Sequence, residues 1–272
     1  MNNLIVNHKL KQDEFGRWSG VEIIDKPKWK TSHDIVDESR IKYGTRQVGH
    51  AGTLDPFATG LLIVLVGKAT KLSDQFLNMD KEYEAEILFE IGTDTGDIEG
   101  EITNDKFKIT KNIENEKIKI VLESFIGKYN QFVPVYSSVK VKGDKLRVLA
   151  RKYEKFEIMG DKSKGKNQNS KIVKFFNGDD LKKEVELPLK HLKVYEMELL
   201  EINEITKEDL KKELKDENLQ DINISSFKTA KVRIFASKGI YIRQLAVDIG
   251  DKLGVAATLL NLRRTRVGDI AI

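Results

Sequence analysis

Cysteine is absent from the 272 residues. Its absence excludes disulfides, thiol nucleophiles and cysteine-ligated zinc, and fits a cytoplasmic setting. Histidine is scarce, with four residues that form no cluster, so no transition-metal centre is expected. No run approaches the ~18 uninterrupted apolar residues of a membrane-spanning helix. Residues 1–18 are too polar to be expected as a secretory signal. Neither a dinucleotide-binding glycine fingerprint nor a P-loop is present. What remains is 40% apolar and 33% charged, a composition that supports a real core in one large domain or two small ones.

Net charge is only +4, but it is unevenly spread. Residues 138–174 carry twelve Lys/Arg against four Asp/Glu, so the remainder of the chain is about −4. Such a basic block suits a phosphate-rich partner, through release of condensed counterions. It equally suits a solvated lysine-rich surface.

The most informative stretch is Gly49-His50-Ala51-Gly52-Thr53-Leu54-Asp55-Pro56, which leads to the apolar run 61–66. Three glycines within twelve residues permit backbone shapes and close approaches that other residues resist. Pro56 biases Asp55 away from helical geometry. The pattern describes either a rigidly presented carboxylate with a histidine five residues earlier, or a plain surface turn.

Around this loop the sequence predicts alternating elements. A strand is expected over 21–27. Thr31 and Asp34 have the spacing of a capping box, and Gly44 is a C-terminal stop, so a helix is predicted over 32–43. Residues 63–67 read as a buried strand, and 68–78 as a short helix. Tyr83, Ala85, Ile87, Phe89 and Ile91 share one face of a strand whose other face carries Glu82, Glu84, Glu86 and Glu90. Ile118, Val121, Leu122 and Phe125 follow helical spacing up to Gly127. Residues 133–140 are expected to be extended, and 231–237 to form a strand. A helix is expected over 241–253, and an extended segment over 258–267 carrying Arg263, Arg264 and Arg266. Residues 1–20 show no periodicity and are treated as an N-terminal extension. Polar insertions are expected near 159–190, flexible over 160–170, and near 203–226, where a charged surface helix runs from about 206 to 217. The expected fold class is α+β, a mixed, largely antiparallel sheet flanked by helices.

Several side chains are candidates for chemistry. Arg243 falls in the first turn of its helix, where a cation opposes the helix dipole; it either marks an anionic partner, such as Asp55 or an RNA phosphate, or is an ordinary exposed arginine. Tyr83 either stacks on a base or packs in the core. Asp55, Asp94 and Asp97 would together suit a divalent cation, but their spacing follows no metal motif.

These blocks together resemble the TruB-type tRNA pseudouridine synthases. The resemblance is carried by Asp25-Lys26-Pro27, by the Gly49 to Pro56 loop with Ala58-Thr59-Gly60, and by Lys81-Glu82-Tyr83 followed by Gly92-Thr93-Asp94-Thr95-Gly96-Asp97. It continues with Pro134-Val135-Tyr136-Ser137, Lys140 and Ala150-Arg151, then Ser237-Lys238-Gly239-Ile240-Tyr241-Ile242-Arg243 and Leu262-Arg263-Arg264. It implies the pseudouridine synthase catalytic fold over 21–272 and isomerisation of a T-loop uridine of tRNA, with no cofactor and no metal. Asp55 falls on the catalytic aspartate. His50, Tyr83, Tyr241, Arg243 and Leu262 fall on substrate-binding positions, Arg243 as the partner of the aspartate. Lys140, Arg151, Arg263 and Arg264 become candidates for the RNA backbone. The implied partner is the tRNA T arm, with a monomer as the default and neither a protein partner nor a membrane implied.

The sequence departs from the pattern at Val133, where a double proline is usual, at Ser138 and at Arg147. After Leu262-Arg263-Arg264 it leaves no room for the small RNA-binding PUA domain that bacterial relatives often carry. A non-catalytic tRNA-binding protein on the same scaffold is the alternative. A metal-dependent phosphotransfer or hydrolase enzyme built on Asp55, Asp94 and Asp97 is a third reading.

Overall fold

The computed structural model describes residues 9–103, 113–160, 170–214 and 224–272. Residues 161–169 of the expected flexible stretch 160–170, residues 1–8 of the N-terminal extension and the end of the charged helix beyond 214 lie outside them.

In chain order, β1 (Lys11–Gln12) and β2 (Trp18–Lys26) form a hairpin, followed by α1 (Ser32–Tyr43), β3 (Val48–His50) and β4 (Thr59–Val66). A 3-10 turn (Gly67–Leu72) runs into α2 (Ser73–Leu77), then β5 (Lys81–Phe89), α3 (Asn115–Glu123) and β6 (Gly127–Phe132). Next come β7 (Lys140–Val141), β8 (Asp144–Lys145), α4 (Leu146–Lys152), β9 (Lys155–Gly160), β10 (Lys171–Asn177) and β11 (Asp180–Glu186). The chain closes with β12 (Leu189–Thr206), α5 (Lys207–Glu213), β13 (Ser226–Ala236), α6 (Ile242–Leu253), β14 (Ala257–Val267) and β15 (Ile270–Ala271).

Ten of these strands form one sheet, in the order β1-β2-β4-β14-β5-β13-β12-β6, with β3 on β4 and β15 on β14. Among its named strands the pairing is antiparallel except for β4 beside β14, so the expected α+β class with a mixed, largely antiparallel sheet holds. The parallel pair sets Arg264 against Gly60. Gly60 has φ +100°, and a Cβ there would lie 2.3 Å from the Arg264 carbonyl oxygen. Only glycine lets the end of the Asp55 loop come this close to β14.

Helix α1 runs over the predicted residues. Thr31 accepts from the Asp34 N–H, Asp34 accepts from the Thr31 N–H, and Gly44 closes the helix in the left-handed region. The alternation of β5 also holds: Tyr83, Ala85 and Ile87 are buried beneath α6, and the glutamates face the other way. Leu245, Ala246 and Ile249 of α6 join Ile118 and Leu122 of α3 in that same core.

Five differences have physical causes. The first strand starts at Trp18 and pairs with Lys11–Gln12, a strand of two exposed residues too short to show alternation. Residues 68–78 split into the 3-10 turn and α2. Residues 133–139 do not extend the sheet but bend away from it. Pro134 has no N–H to give a ladder, and the carbonyls of Tyr136 and Ser137 go instead to Arg243 and to the Arg147 N–H. The polar stretch near 159–190 holds β10 and β11, which with β9 form an antiparallel sheet; Val173, Phe175, Val185 and the following Leu187 pack against Val133, Val135 and Leu149. The charged helix α5 is tied more deeply than a surface addition, because Leu210 and Leu214 are buried in the main core.

Candidate active site

Asp55 sits in the loop between β3 and β4, and its neighbours on both sides are pinned. The Ser32 hydroxyl accepts from the Leu54 N–H and donates to the Leu54 carbonyl. The Pro56 carbonyl accepts from the Trp29 N–H at 2.7 Å and from Lys26 Nζ at 3.1 Å. The backbone therefore leaves the carboxylate little freedom.

Arg243, in the first turn of α6, reaches that carboxylate with Nε 2.9 Å from Asp55 Oδ2. Nε is also 3.2 Å from Asp97 Oδ2, while Nη1 donates to the Thr95 carbonyl and Nη2 to the Tyr136 carbonyl. One guanidinium is thus held by two carboxylates and two carbonyls. Burial pulls against its charge, but Asp55 and Asp97 outweigh burial and hold Arg243 above its ordinary range. Burial pushes Asp97 up, opposed by Arg243. Exposure separates the two acids: the Asp55 side chain is 36% exposed and that of Asp97 is 4%. Asp55 is open to a substrate, whereas Asp97 is taken up by Arg243, by the Thr95 hydroxyl, which donates to it at 2.7 Å, and by the Glu99 N–H at 3.0 Å.

Two phenols flank the pair. Burial pushes both Tyr83 and Tyr241 up, and the nearby charge of Asp55 adds to the shift. Both therefore stay protonated at neutral pH. Tyr241 is the N-cap residue of α6, two positions before Arg243. A one-third-exposed carboxyl group, an arginine locked onto it and two aromatic rings suit a planar, uncharged ring brought against the acid.

Residues 40–175 match the family described as TruB family pseudouridylate synthase, N-terminal domain. The chain belongs to this family. It is 34% identical over 254 residues to a tRNA pseudouridine synthase B of Francisella tularensis subsp. holarctica, covering 93% of this chain and 67% of that protein. The protein of the same name from Thermotoga maritima is 34% identical over 253 residues, covering 93% and 64%. Among solved structures, the chain is similar to an H/ACA RNP bound to a substrate RNA containing 2′-deoxyuridine. There the TM-score is 0.54 at 24% identity, over 92% of this chain and 48% of that one. A Cbf5–Nop10–Gar1 complex gives 0.55 at 22% identity, over 96% and 57%. These structural likenesses show the pseudouridine synthase fold.

Within this TruB-family site the structure brings Asp55, Tyr83, Tyr241 and Arg243 together. Leu262 lies opposite Ala85 on β5 and packs in the apolar cluster that holds Leu54, Phe57 and Tyr83. His50 is less engaged. Its Nδ1 is buried without a hydrogen-bond partner among the described residues, and burial lowers its pKa, so the ring is neutral. Lys140 and Arg151 are exposed, on β7 and α4. Arg263 faces away on the glutamate side of the sheet and forms a two-pronged pair with Asp25 at 2.7 and 2.9 Å.

Arg264 corrects the sequence reading. It is 2% exposed and cannot reach an RNA backbone. Its guanidinium donates to the carbonyls of Leu61 and Gly52 and lies against the Tyr83 hydroxyl, knitting the Asp55 loop to β5. Asp94 and Asp97, weighed as metal ligands with Asp55, are engaged elsewhere: Asp94 by the Tyr136 hydroxyl and the Glu101 N–H, Asp97 by Arg243.

Lys26 is a buried cation beside the Asp55 loop that sequence reasoning did not single out, although Asp25-Lys26-Pro27 marked the place. It is fully buried, and its ammonium donates to the carbonyls of Pro27, Lys30 and Pro56. Burial pulls its pKa down to about 8. Between about pH 8 and the ordinary lysine value of about 10.4, the unfolded chain therefore binds the extra proton. Stability contributed by this group must rise with pH across that window. Denaturant unfolding of the wild type and Lys26→Met checks this. The wild-type stability should gain on that of the variant from pH 8 to pH 10, and parallel curves would show that Lys26 titrates normally.

Proposed function

We propose that the protein isomerises a uridine in the T loop of tRNA, at tRNA position 55, to pseudouridine. The observation that carries this reading is the ion pair between Asp55 and the doubly anchored Arg243, flanked by Tyr83 and Tyr241. Relatives named tRNA pseudouridine synthase B support tRNA as the substrate.

The reaction breaks the N1–C1′ bond of uridine, turns the base and joins C5 to C1′. N1 gains a proton, and the hydrogen on C5 leaves to solvent, so atoms balance without an oxidant or group donor. The nucleotide must leave its stack, at a cost of a few kcal/mol. Stacking on the Tyr83 ring and phosphate contacts from the exposed cations Lys140 and Arg151 offset that cost. Asp55, aligned by Arg243, is the group that attacks the sugar or the base, or removes a sugar proton to start an elimination. Leu262 supports the apolar wall of the pocket, and His50 contributes as a neutral ring near the loop. One chain supplies every named residue, so a monomer in the cytoplasm is a sufficient active unit.

Nucleoside analysis of an unmodified tRNA transcript after incubation with the protein tests this reading. Pseudouridine should appear in the T loop and vanish when that uridine is replaced by cytidine. Modification elsewhere would redirect the substrate assignment. Activity should persist in excess EDTA once the RNA is folded. A strict need for a divalent ion at that point would favour a metal-dependent mechanism instead.

A further inference from the structure

Lys190 is a cation that no sequence motif singled out. It lies on β12 opposite Gln131 of β6 and is half-buried. Its Nζ donates to the Gly239 carbonyl at 3.0 Å and stands 4.7 Å from the centroid of the Tyr241 ring. Burial draws its pKa below the usual lysine range, and among the described residues no carboxylate counters that effect. Lysines that meet carboxylates give the contrast: Lys28 pairs with Glu213, Lys231 with Glu84 and Lys183 with Asp144. A partly desolvated ammonium is costly unless its charge is met. A ring face and one carbonyl meet only part of it.

The surroundings say which anion fits. Residues 127–132, 189–195 and 237–242 contain Lys128, Lys190, Lys193 and Lys238 and no acidic residue. Tyr241 carries Lys190 on its ring, while its hydroxyl feels the charges of Arg243 and Asp55. Lys190 is therefore one aromatic ring away from the candidate catalytic carboxylate. A Cβ on Gly239 would stand 3.3 Å from Nζ, so the bare glycine keeps the approach open. An ammonium has three donors, and Gly239 takes one.

We propose that Lys190 binds a phosphodiester of the RNA strand next to the nucleotide presented to Asp55, holding that strand against Tyr241. The proposal rests on the reading that this site acts on a flipped RNA base.

Lys190→Gln should weaken binding of a T-arm stem-loop about tenfold at low salt. The slope of log affinity against log salt should become shallower by about 0.7–0.9. Turnover at saturating RNA should stay within a few-fold of wild type, and Lys190→Arg should restore most of the affinity. A walk of neutral methylphosphonates along the loop locates the contact. One position flanking the target should weaken binding to the wild type and have no further effect on Lys190→Gln. The proposal is overturned if every methylphosphonate harms both proteins equally. It is also overturned if the variant loses turnover with affinity unchanged, since Lys190 would then only prop Tyr241. Wild-type protein that binds the stem-loop but makes no pseudouridine would defeat the enzymatic reading, while the affinity measurements would still decide the role of Lys190.

Discussion

Asp55→Asn should abolish pseudouridine formation while tRNA still binds. The amide has the shape of the carboxylate but lacks its charge and basicity, and each route open to Asp55 needs one or the other. The expected loss in the single-turnover rate is on the order of 10⁴-fold or more. Binding should change by no more than a few-fold, because the carboxylate is an anion facing a polyanion and contributes little to affinity. The fold should also stand, since Arg243 keeps Asp97 and the carbonyls of Thr95 and Tyr136 as partners. Rapid-quench kinetics and filter binding on the same preparation separate these effects. Binding lost in step with rate would make Asp55 a structural residue of the loop rather than the reacting group.

Arg243→Lys has the next largest expected effect. The guanidinium meets four partners at once, with Nε between Asp55 and Asp97 and the two Nη atoms on separate carbonyls. A lysine ammonium is a compact point charge and cannot reproduce that fork. Asp55 would keep a nearby positive charge but lose its fixed direction, and a displacement of about 1 Å from productive geometry costs about 100-fold. The rate should fall by about that factor, with the KM for tRNA much less affected. Asp97→Asn acts through the same arginine, so the double variant should be little worse than Arg243→Lys alone. Fully multiplicative losses would show that Asp97 acts independently of Arg243.

The parts of the molecule that could be read from the chain were those governed by neighbours in sequence. Thr31, Asp34 and Gly44 set both ends of α1 through local hydrogen bonds and one left-handed residue. The alternation beginning at Tyr83 put the aromatic ring on the buried face of β5, where it lies. Arg243 looked misplaced at a helix start, and its anionic partner proved to be Asp55, with Asp97 alongside. What escaped depended on distant strands. Arg264 sits among three arginines and read as part of a basic surface. Yet Leu262 and Arg264 share a parity on β14, and pairing against Tyr83 turns Arg264 inward. The β9–β11 sheet hid behind a polar composition, because few of its residues, Phe156, Val173, Phe175 and Val185 among them, face its small core. The clamp of Asp97 on Arg243 exists only once the turn before Glu99 docks on β14, where the Leu259 N–H donates to the Gly96 carbonyl.

The most direct test of the account is tritium release from tRNA labelled at C5 of its uridines, measured under single-turnover conditions. The account predicts one equivalent of tritium released per tRNA by the wild type. It predicts none from a transcript whose T-loop uridine is replaced by cytidine, and none with Asp55→Asn. Stable tRNA binding by the wild type without release, or undiminished release by Asp55→Asn, would contradict it.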